Sequence, residues 1–309
     1  MKRVLITGAS GFIGRQSVAG LLSRGYEVHA ADLKSSAEDL PGVRWHLADL
    51  LAPEAASRLI SEVRPSHLLH MAWITTPGEY WTSPKNLRWV IASLELLQSF
   101  ADQGGKRVVM AGSCAEYDWK YGYCSELHTP LMPATLYGAC KNSLHSMLDA
   151  FAAQAGLTAA WGRIFLLYGP YEHPNRLVSS VIRSLLKREP ANCSHGKQVR
   201  DFLHVEDVGD AFAALLDSDV SGALNIASGQ PATLRDVVTR IASKLDAGDL
   251  LRLGAVPVSE HEPPLLVADV GRLSNELSWI PKYDLDRGLD QTIAWWRSQL
   301  LENAHGATS

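Results

Sequence analysis

The sequence predicts an α/β fold: a doubly wound parallel sheet, followed by a smaller mixed α/β lobe. Three observations carry that prediction. Short apolar runs alternate with helical patterns through the first half of the chain. A glycine-rich turn separates the first run from the first helix. Beyond about residue 169 the pattern changes to helical segments interrupted by brief strands. With 309 residues there is material for two lobes; residues 1–168 are expected to form the first and 169–309 the second.

Val4-Leu5-Ile6 is the first strand, and Gly8, Gly11 and Gly14 follow it directly. A helix built on Phe12, Ile13, Val18, Leu21 and Leu22 comes next. A strand, a glycine turn and a helix start together suit a dinucleotide pyrophosphate, because glycines permit close backbone approach and the helix start offers unpaired N–H groups. Glu27–Leu33 reads as the second strand. Asp32 at its carboxyl end, eighteen positions past Gly14, is placed to accept both ribose hydroxyls. A 2′-phosphate would meet a like charge there, which favours NAD, although Lys34 leaves NADP open. Val43–Leu47 is the third strand. Asp49 after it reads either as a cap for the Pro53–Val63 helix or as a contact to adenine. His67–Met71 is the fourth strand, opening at Ala72-Trp73 into a Thr/Pro/Gly-rich loop. A long helix spans about 84–103, and Lys106–Ala111 is the fifth strand, delivering Gly112-Ser113. Gly8, Asp32, Ala72 and Ser113 thus fall beyond the carboxyl ends of parallel strands, where such sheets bind ligands.

A helix from Pro133 carries Tyr137 and Lys141, four apart and so on one face. A free phenol titrates near pH 10, and an ammonium beside it stabilises the phenolate. Joined to a dinucleotide turn and a serine at a strand end, the pair reads as acid–base machinery. The ordinary alternative is two surface neighbours. Further helices are expected at about Tyr171–Glu189, at His204–Leu216 (packing back on the first lobe), at Ala232–Leu245 and at Asp269–Leu277, with short strands near Leu224–Ala227 and Leu250–Leu253. Only the tail after Leu301 reads as frayed.

Composition excludes several classes. Hydrophobic residues at 46% and charged residues at 20% describe an ordinary globular chain. A net charge of −4 and the absence of any Lys/Arg run leave no footprint for nucleic acid. Nothing approaches a membrane span, so a cytoplasmic protein is expected. Cys114, Cys124, Cys140 and Cys193 form no C-x-x-C pair and read as structural or idle thiols, and eleven histidines lack ligand spacing, so no metal is expected. Gly112-Ser113-Cys114-Ala115 lacks the second glycine of a hydrolase nucleophile elbow.

These residues give the chain a marked resemblance to the extended short-chain dehydrogenase/reductases, and among them the nucleotide-sugar epimerases, dehydratases and reductases. Nearly the whole length takes part: Thr7-Gly8-Ala9-Ser10-Gly11-Phe12-Ile13-Gly14, Asp32, Ala48-Asp49-Leu50, His70-Met71-Ala72, Ser113 four before Tyr117, Tyr137-Gly138-Ala139-Cys140-Lys141, Arg163-Ile164-Phe165 with Tyr168-Gly169-Pro170, Arg200–Val208 and Asn225–Gly229. The resemblance implies a Rossmann sheet, with Ser10, Leu50 and Met71 joining Gly8, Gly11, Phe12, Ile13, Gly14, Asp32, Asp49, Ala72, Tyr137 and Lys141 around NAD. It implies Tyr137 as acid/base, Lys141 as the group that lowers its pKa and holds the nicotinamide ribose, and Ser113 on the substrate oxygen. Arg200 would take the substrate's diphosphate; its alternative is an ion pair with Asp201 or Asp207. A homodimer through the helices near 84–103 and 134–155 is implied as well.

Departures fall on the substrate side. Cys114-Ala115 stand where the 4,6-dehydratases carry Asp-Glu, so proton shuttling for water elimination is disfavoured. Leu166 replaces an asparagine near the diphosphate, Trp89 an asparagine on the long helix, and His261-Glu262-Pro263-Pro264 a glycine-rich stretch. His204 reads as structural. Trp81, Trp119 and Trp161 are candidates to stack on a base, with lobe packing as their alternative. The reaction expected is C4 keto reduction of a nucleoside-diphosphate sugar, with NAD-retaining 4-epimerisation as its alternative and a non-catalytic dinucleotide-binding regulator as the rival of another kind.

Overall fold

The computed structural model describes residues 2–34, 40–259 and 262–306. His261 therefore lies outside the described residues. The strands are β1 Arg3–Thr7, β2 Glu27–Asp32, β3 Arg44–Leu47, β4 His67–His70, β5 Arg107–Ser113, β6 Tyr123–Cys124, β7 Thr158–Ile164, β8 Leu166–Tyr168, β9 Ala191–Cys193, β10 Val199–His204, β11 Gly222–Ile226, β12 Pro231–Thr233, β13 Leu251–Leu253 and β14 Leu265–Ala268. The helices are α1 Gly14–Ser23, α2 Ala55–Val63, α3 Lys85–Asp102, α4 Leu136–Ala155, α5 Leu177–Leu186, α6 Val205–Asp217, α7 Leu234–Lys244, α8 Gly271–Asn275 and α9 Leu285–Gly306.

Apolar, partly β-branched runs such as Val4-Leu5-Ile6 and Val108-Val109-Met110 are covered on both faces, which is the condition under which parallel strands persist. They pair in the order β11-β7-β5-β4-β1-β2-β3, all parallel. The order reverses between β1 and β4, and that switch point opens a crevice at the strands' carboxyl ends. One face packs on α1 and α6, the other on α2, α3 and α4. Gly209 lets α6 lie close on α1, since a Cβ there would sit 2.4 Å from the Gln16 carbonyl carbon. Chain from beyond residue 200 thus returns to the large sheet three times, as α6, as β11 and as α8. A second sheet, β12-β10-β14-β6 with β8 on β10, covers a separate core shared with α5, α7 and α9. Asp201 on β10 binds it together, accepting from the backbone N–H groups of Ser228, Gly229 and Ala268 and from the Ser228 hydroxyl.

Several boundaries differ from the sequence expectation. The helix expected within about Tyr171–Glu189, after Pro174, runs from Leu177 to Leu186, three residues beyond that proline, and Tyr171 ahead of it is left-handed (φ 70°). Residues 231–233 are a strand, since Thr233 and Asp236 form a capping box that starts α7 at Leu234. Asp269 accepts from the Gly271 N–H, delaying α8 to Gly271. Asp49 caps no helix: its carboxylate takes the Leu51 N–H at 3.0 Å, and α2 starts at Ala55 after a left-handed Glu54.

A buried polar cluster braces the carboxyl edge of β5 and β7. Glu116, fully buried, accepts from Arg163 Nε at 2.7 Å, from the Trp161 indole N–H at 3.0 Å and from the Ser113 N–H at 2.7 Å. Arg163 also donates to the Tyr117 hydroxyl, which donates in turn to Asn225 on β11. Each charge has its partners, so the cluster's desolvation is offset.

Replacing Arg163 by Met strands the Glu116 carboxylate, and chemical denaturation should show a loss of about 3–5 kcal/mol; an unchanged midpoint would refute the bracing role. Histidine burial sets a pH dependence. Desolvation lowers His70 to about 3 and His145 and His204 to about 4. The unfolded chain takes up these protons near pH 6.5 and the folded chain does not, so each imidazole erodes stability as pH falls below 6.5, by about 1.4 kcal/mol per pH unit. Glu172, raised to about 7 by burial, works in the opposite direction. Comparison with His70→Asn isolates one imidazole: the parent's advantage in denaturation midpoint should narrow steadily from pH 6.5 to 5, and a constant gap would contradict it.

Candidate active site

The glycine turn has the geometry its sequence calls for. Gly8 has φ +69°, and a Cβ there would meet the Ala72 nitrogen at 2.8 Å; at Gly14 it would lie 2.3 Å from the Gly8 carbonyl oxygen. Only glycine fits the first position, and the second lets α1 start directly above the turn. Ser10 donates its N–H to Asp32 at 3.0 Å, tying the turn to the end of β2. Ala72 stands beside Gly8, its N–H directed to the Thr7 hydroxyl at 3.3 Å. His70 bridges Thr7 (2.7 Å) and Ser93 (2.8 Å), holding the ends of β1 and β4 and the helix α3 in one frame. Phe12, Ile13 and Met71 are half-buried around this turn, with Ile13 and Met71 packed on the α1/α6 core; Leu50 is buried on the opposite face. A cradle that a single methyl would fill, with a carboxylate at the neighbouring strand end, fits a dinucleotide.

Ser113, Tyr137 and Lys141 converge at the end of β5. Gly138 permits it: a Cβ there would fall 2.3 Å from the Ala115 carbonyl oxygen, so α4 lies tight against the turn at 114–116. Burial pushes the Tyr137 phenol's pKa up, and the nearby Ser113 hydroxyl opposes that shift. Lys141 is buried, its Nζ donating to the Ala111 carbonyl at 2.8 Å. Burial lowers it to about 7, and the Glu116 carboxylate pulls the other way. Ser113 itself is fixed by a capping box: its hydroxyl accepts from Ala115 N–H while Glu116 takes its own N–H.

Aromatic side chains surround this pair. Tyr80 and Trp81 stand edge-on to Tyr137, with ring centroids at 4.9 and 5.7 Å, and Trp119 packs edge-on to Trp81 at 6.0 Å. Trp119 is held by its indole N–H on the Cys114 carbonyl. Trp161 is not available to stack on a base: it is wholly buried, with its N–H on Glu116. His204 is buried between Tyr168 and Tyr283. Arg200 is buried and pairs with neither Asp201 nor Asp207, because both acids are taken by backbone N–H groups; it meets Glu262 at 2.9 Å instead. The sequence reading missed Glu116, Tyr80 and Trp73. Glu116 was legible, since Ser113-x-x-Glu116 is a capping-box signature.

Among the described residues no group of three or more His, Cys, Asp or Glu could hold a metal, all four cysteines are free, and no helix is long and apolar enough to cross a membrane. Residues 4–227 match the model of the NAD dependent epimerase/dehydratase family. UDP-glucuronic acid decarboxylase 1 of Xenopus tropicalis is 27% identical over 98% of this chain and 74% of its own length. The dTDP-6-deoxy-L-talose 4-dehydrogenase (NAD(+)) of Aggregatibacter actinomycetemcomitans is 30% identical over 76% of this chain and 87% of its own. Among solved structures, UDP-glucose 4-epimerase of Thermus thermophilus in complex with NAD superposes with a TM-score of 0.84 at 28% identity, over 96% of this chain and 99% of that one. The family match spans more than half of the chain, and the chain belongs to the NAD dependent epimerase/dehydratase family.

Proposed function

We propose that the chain is an NAD(P)-dependent oxidoreductase acting on a nucleoside-diphosphate sugar, by hydride transfer at a hexose carbon, with C4 keto reduction as its reaction. The observation that carries this reading is the convergence of Ser113, Tyr137 and Lys141 beside the glycine cradle. Gly8, Ser10, Gly11, Phe12, Ile13 and Gly14 would hold the pyrophosphate, Asp32 the adenosine ribose, Asp49 and Leu50 the adenine side, and Met71, Ala72, Tyr137 and Lys141 the nicotinamide side. NAD(P)H, when bound, supplies the hydride.

The residues then divide the remaining work. Ser113 orients the carbonyl oxygen by hydrogen bonding. Tyr137, kept in its protonated form by burial, delivers a proton to that oxygen, and Lys141 stabilises the phenolate left behind. Arg200 turns from Glu262 to the diphosphate, a pairing suited to its donor fork. Cys114 and Ala115 offer no further proton carrier; the Cys114 thiol is pushed up to about 12 by burial. That favours simple reduction over water elimination. The aromatic wall of Tyr80, Trp81 and Trp119 suits a sugar edge poor in hydroxyls, such as that of a deoxy sugar. The talose dehydrogenase among the relatives supports this direction, and the epimerase neighbour supports the alternative of NAD-retaining 4-epimerisation.

Residues 1–168, joined by α6 and β11, would form the cofactor half, and the remainder of 169–309 the substrate half. Leu87 and Ile91 on α3 and Met147 on α4 are exposed, which suits a homodimer through these two helices. Light scattering at micromolar concentration should give twice the chain mass of 33.7 kDa; a single-chain mass would remove the dimer. For the chemistry, 4-keto-sugar nucleotides carrying UDP, GDP, CDP or dTDP should consume NAD(P)H, and Tyr137→Phe should slow that consumption about 10²–10⁴-fold. Interconversion of C4 epimers without NAD(P)H consumption would overturn the reductase assignment; full turnover by Tyr137→Phe would overturn the catalytic one.

A further inference from the structure

The loop after β4 puts an indole against the buried ammonium. Lys141 Nζ lies 3.7 Å from the ring centroid of Trp73, while it donates to the Ala111 carbonyl. The ring is held in place. Its N–H donates to Asn86 Oδ1 at 2.8 Å, and the Asn86 amide, fully buried, donates to the carbonyls of Tyr80 at 2.7 Å and Ser83 at 2.9 Å. Trp89 stacks on the same indole, with centroids 6.1 Å apart. Asn86, Trp89 and Trp73 therefore form one rigid support running from α3 to the Lys141 side chain.

The other charged or titratable groups facing Lys141 do not replace that support. Glu116, on the turn after β5, already accepts from Arg163, Trp161 and Ser113. His70, at the end of β4, stays neutral between Thr7 and Ser93. Tyr137 and Cys140 share the helix α4 with Lys141 and are protonated. The ammonium thus rests on one carbonyl dipole and one aromatic face, in a site where cation–π attraction is little weakened by water.

We propose that Trp73 is a positioning residue: anchored by Asn86, its ring fixes Lys141 beside Tyr137 and holds it as a cation. The proposal rests on the acid–base reading of Tyr137 and Lys141 given above, because a neutral amine would not stabilise a phenolate. A large aromatic at position 73 then has a use beyond filling space.

The test is a titration of the full chain labelled with ¹³Cε-lysine, in which Lys141→Arg assigns the resonance. Trp73→Leu should move the Lys141 midpoint down by about one pH unit, and Trp73→Phe by less, since phenyl is the weaker π donor. Asn86→Ala should shift it in the same direction by freeing the ring. Where a variant fails to fold by circular dichroism, uniform incorporation of fluorinated tryptophans weakens the ring face without changing its shape, and the midpoint should fall with each added fluorine. Coincident midpoints for the parent and Trp73→Leu, or indifference to fluorination, would overturn the proposal. The titration reads no turnover, so a chain inactive on every sugar nucleotide would defeat the reductase reading while leaving Trp73 to be judged separately. With turnover, the alkaline limb of kcat against pH should shift to lower pH in Trp73→Leu and by less in Trp73→Phe; a fall in kcat at all pH values alike would mark a merely structural role.

Discussion

The geometry at the end of β5 depends on one buried ion pair. Glu116 and Arg163 are both enclosed, and each has hydrogen bonds beyond the pair itself. The pair is worth little as a source of stability, because desolvating two charges consumes most of their attraction. Its value is in direction. Glu116 captures the Ser113 N–H, which fixes the serine at a strand end where the backbone would otherwise be free to turn. Arg163 reaches Tyr117, and Tyr117 reaches Asn225, so the alignment of β5, β7 and β11 is set by the same few side chains that place the serine hydroxyl. Gly112 belongs to this arrangement too: a Cβ there would overlap the Trp161 indole nitrogen and the Glu116 carboxylate.

From that fixed point the second requirement is closeness. Gly138 brings α4 against the Ala115 carbonyl, and the phenol of Tyr137 comes within reach of Ser113 as a result. The same closeness buries both titrating groups and pushes each toward its neutral form. A neutral phenol is a competent proton donor. A neutral lysine would be a poor partner to the phenolate that follows, and the carbonyl and ring beside Lys141 bear on that conflict between burial and charge.

The fold and the cofactor side were largely legible in the sequence, because both are written in local signals. Gly8 and Gly14 are required by backbone contacts within a few residues or across one strand, and Asp32 marks the end of a short apolar run. The two smaller sheets were less legible. Their strands β6, β8, β9, β12 and β14 have two to four residues each, too short for an alternation to show, and they exist because long-range partners complete their ladders. Arg200 illustrates the same limit. Its neighbours in sequence, Asp201 and Asp207, were the natural candidates for a partner, yet both are occupied by backbone N–H groups and the ion pair forms with Glu262, sixty-two residues away. Trp161 looked like a possible stacking platform only because sequence does not reveal which face of a strand a glutamate will claim.

What separates the two halves is the kind of constraint each obeys. A pyrophosphate and a ribose are the same in every dinucleotide, so the groups that meet them are narrowly fixed: small backbone, a carboxylate, a helix start. A sugar ring varies at each carbon, and the side chains that meet it are free to vary with it. On the proposed reading, that freedom has gone here toward aromatic rings and away from proton carriers. Tyr80, Trp81 and Trp119 crowd the phenol, while Cys114 and Ala115 occupy the positions nearest Ser113 in the chain. With burial pushing the Cys114 thiol up and Ala115 unable to titrate at all, neither residue adds a proton carrier beside Tyr137 and Lys141, which fits the reading proposed above. A site with one proton donor is suited to adding or removing a single proton in step with a hydride, and poorly suited to expelling water from the neighbouring carbons, which needs a second acid and a second base.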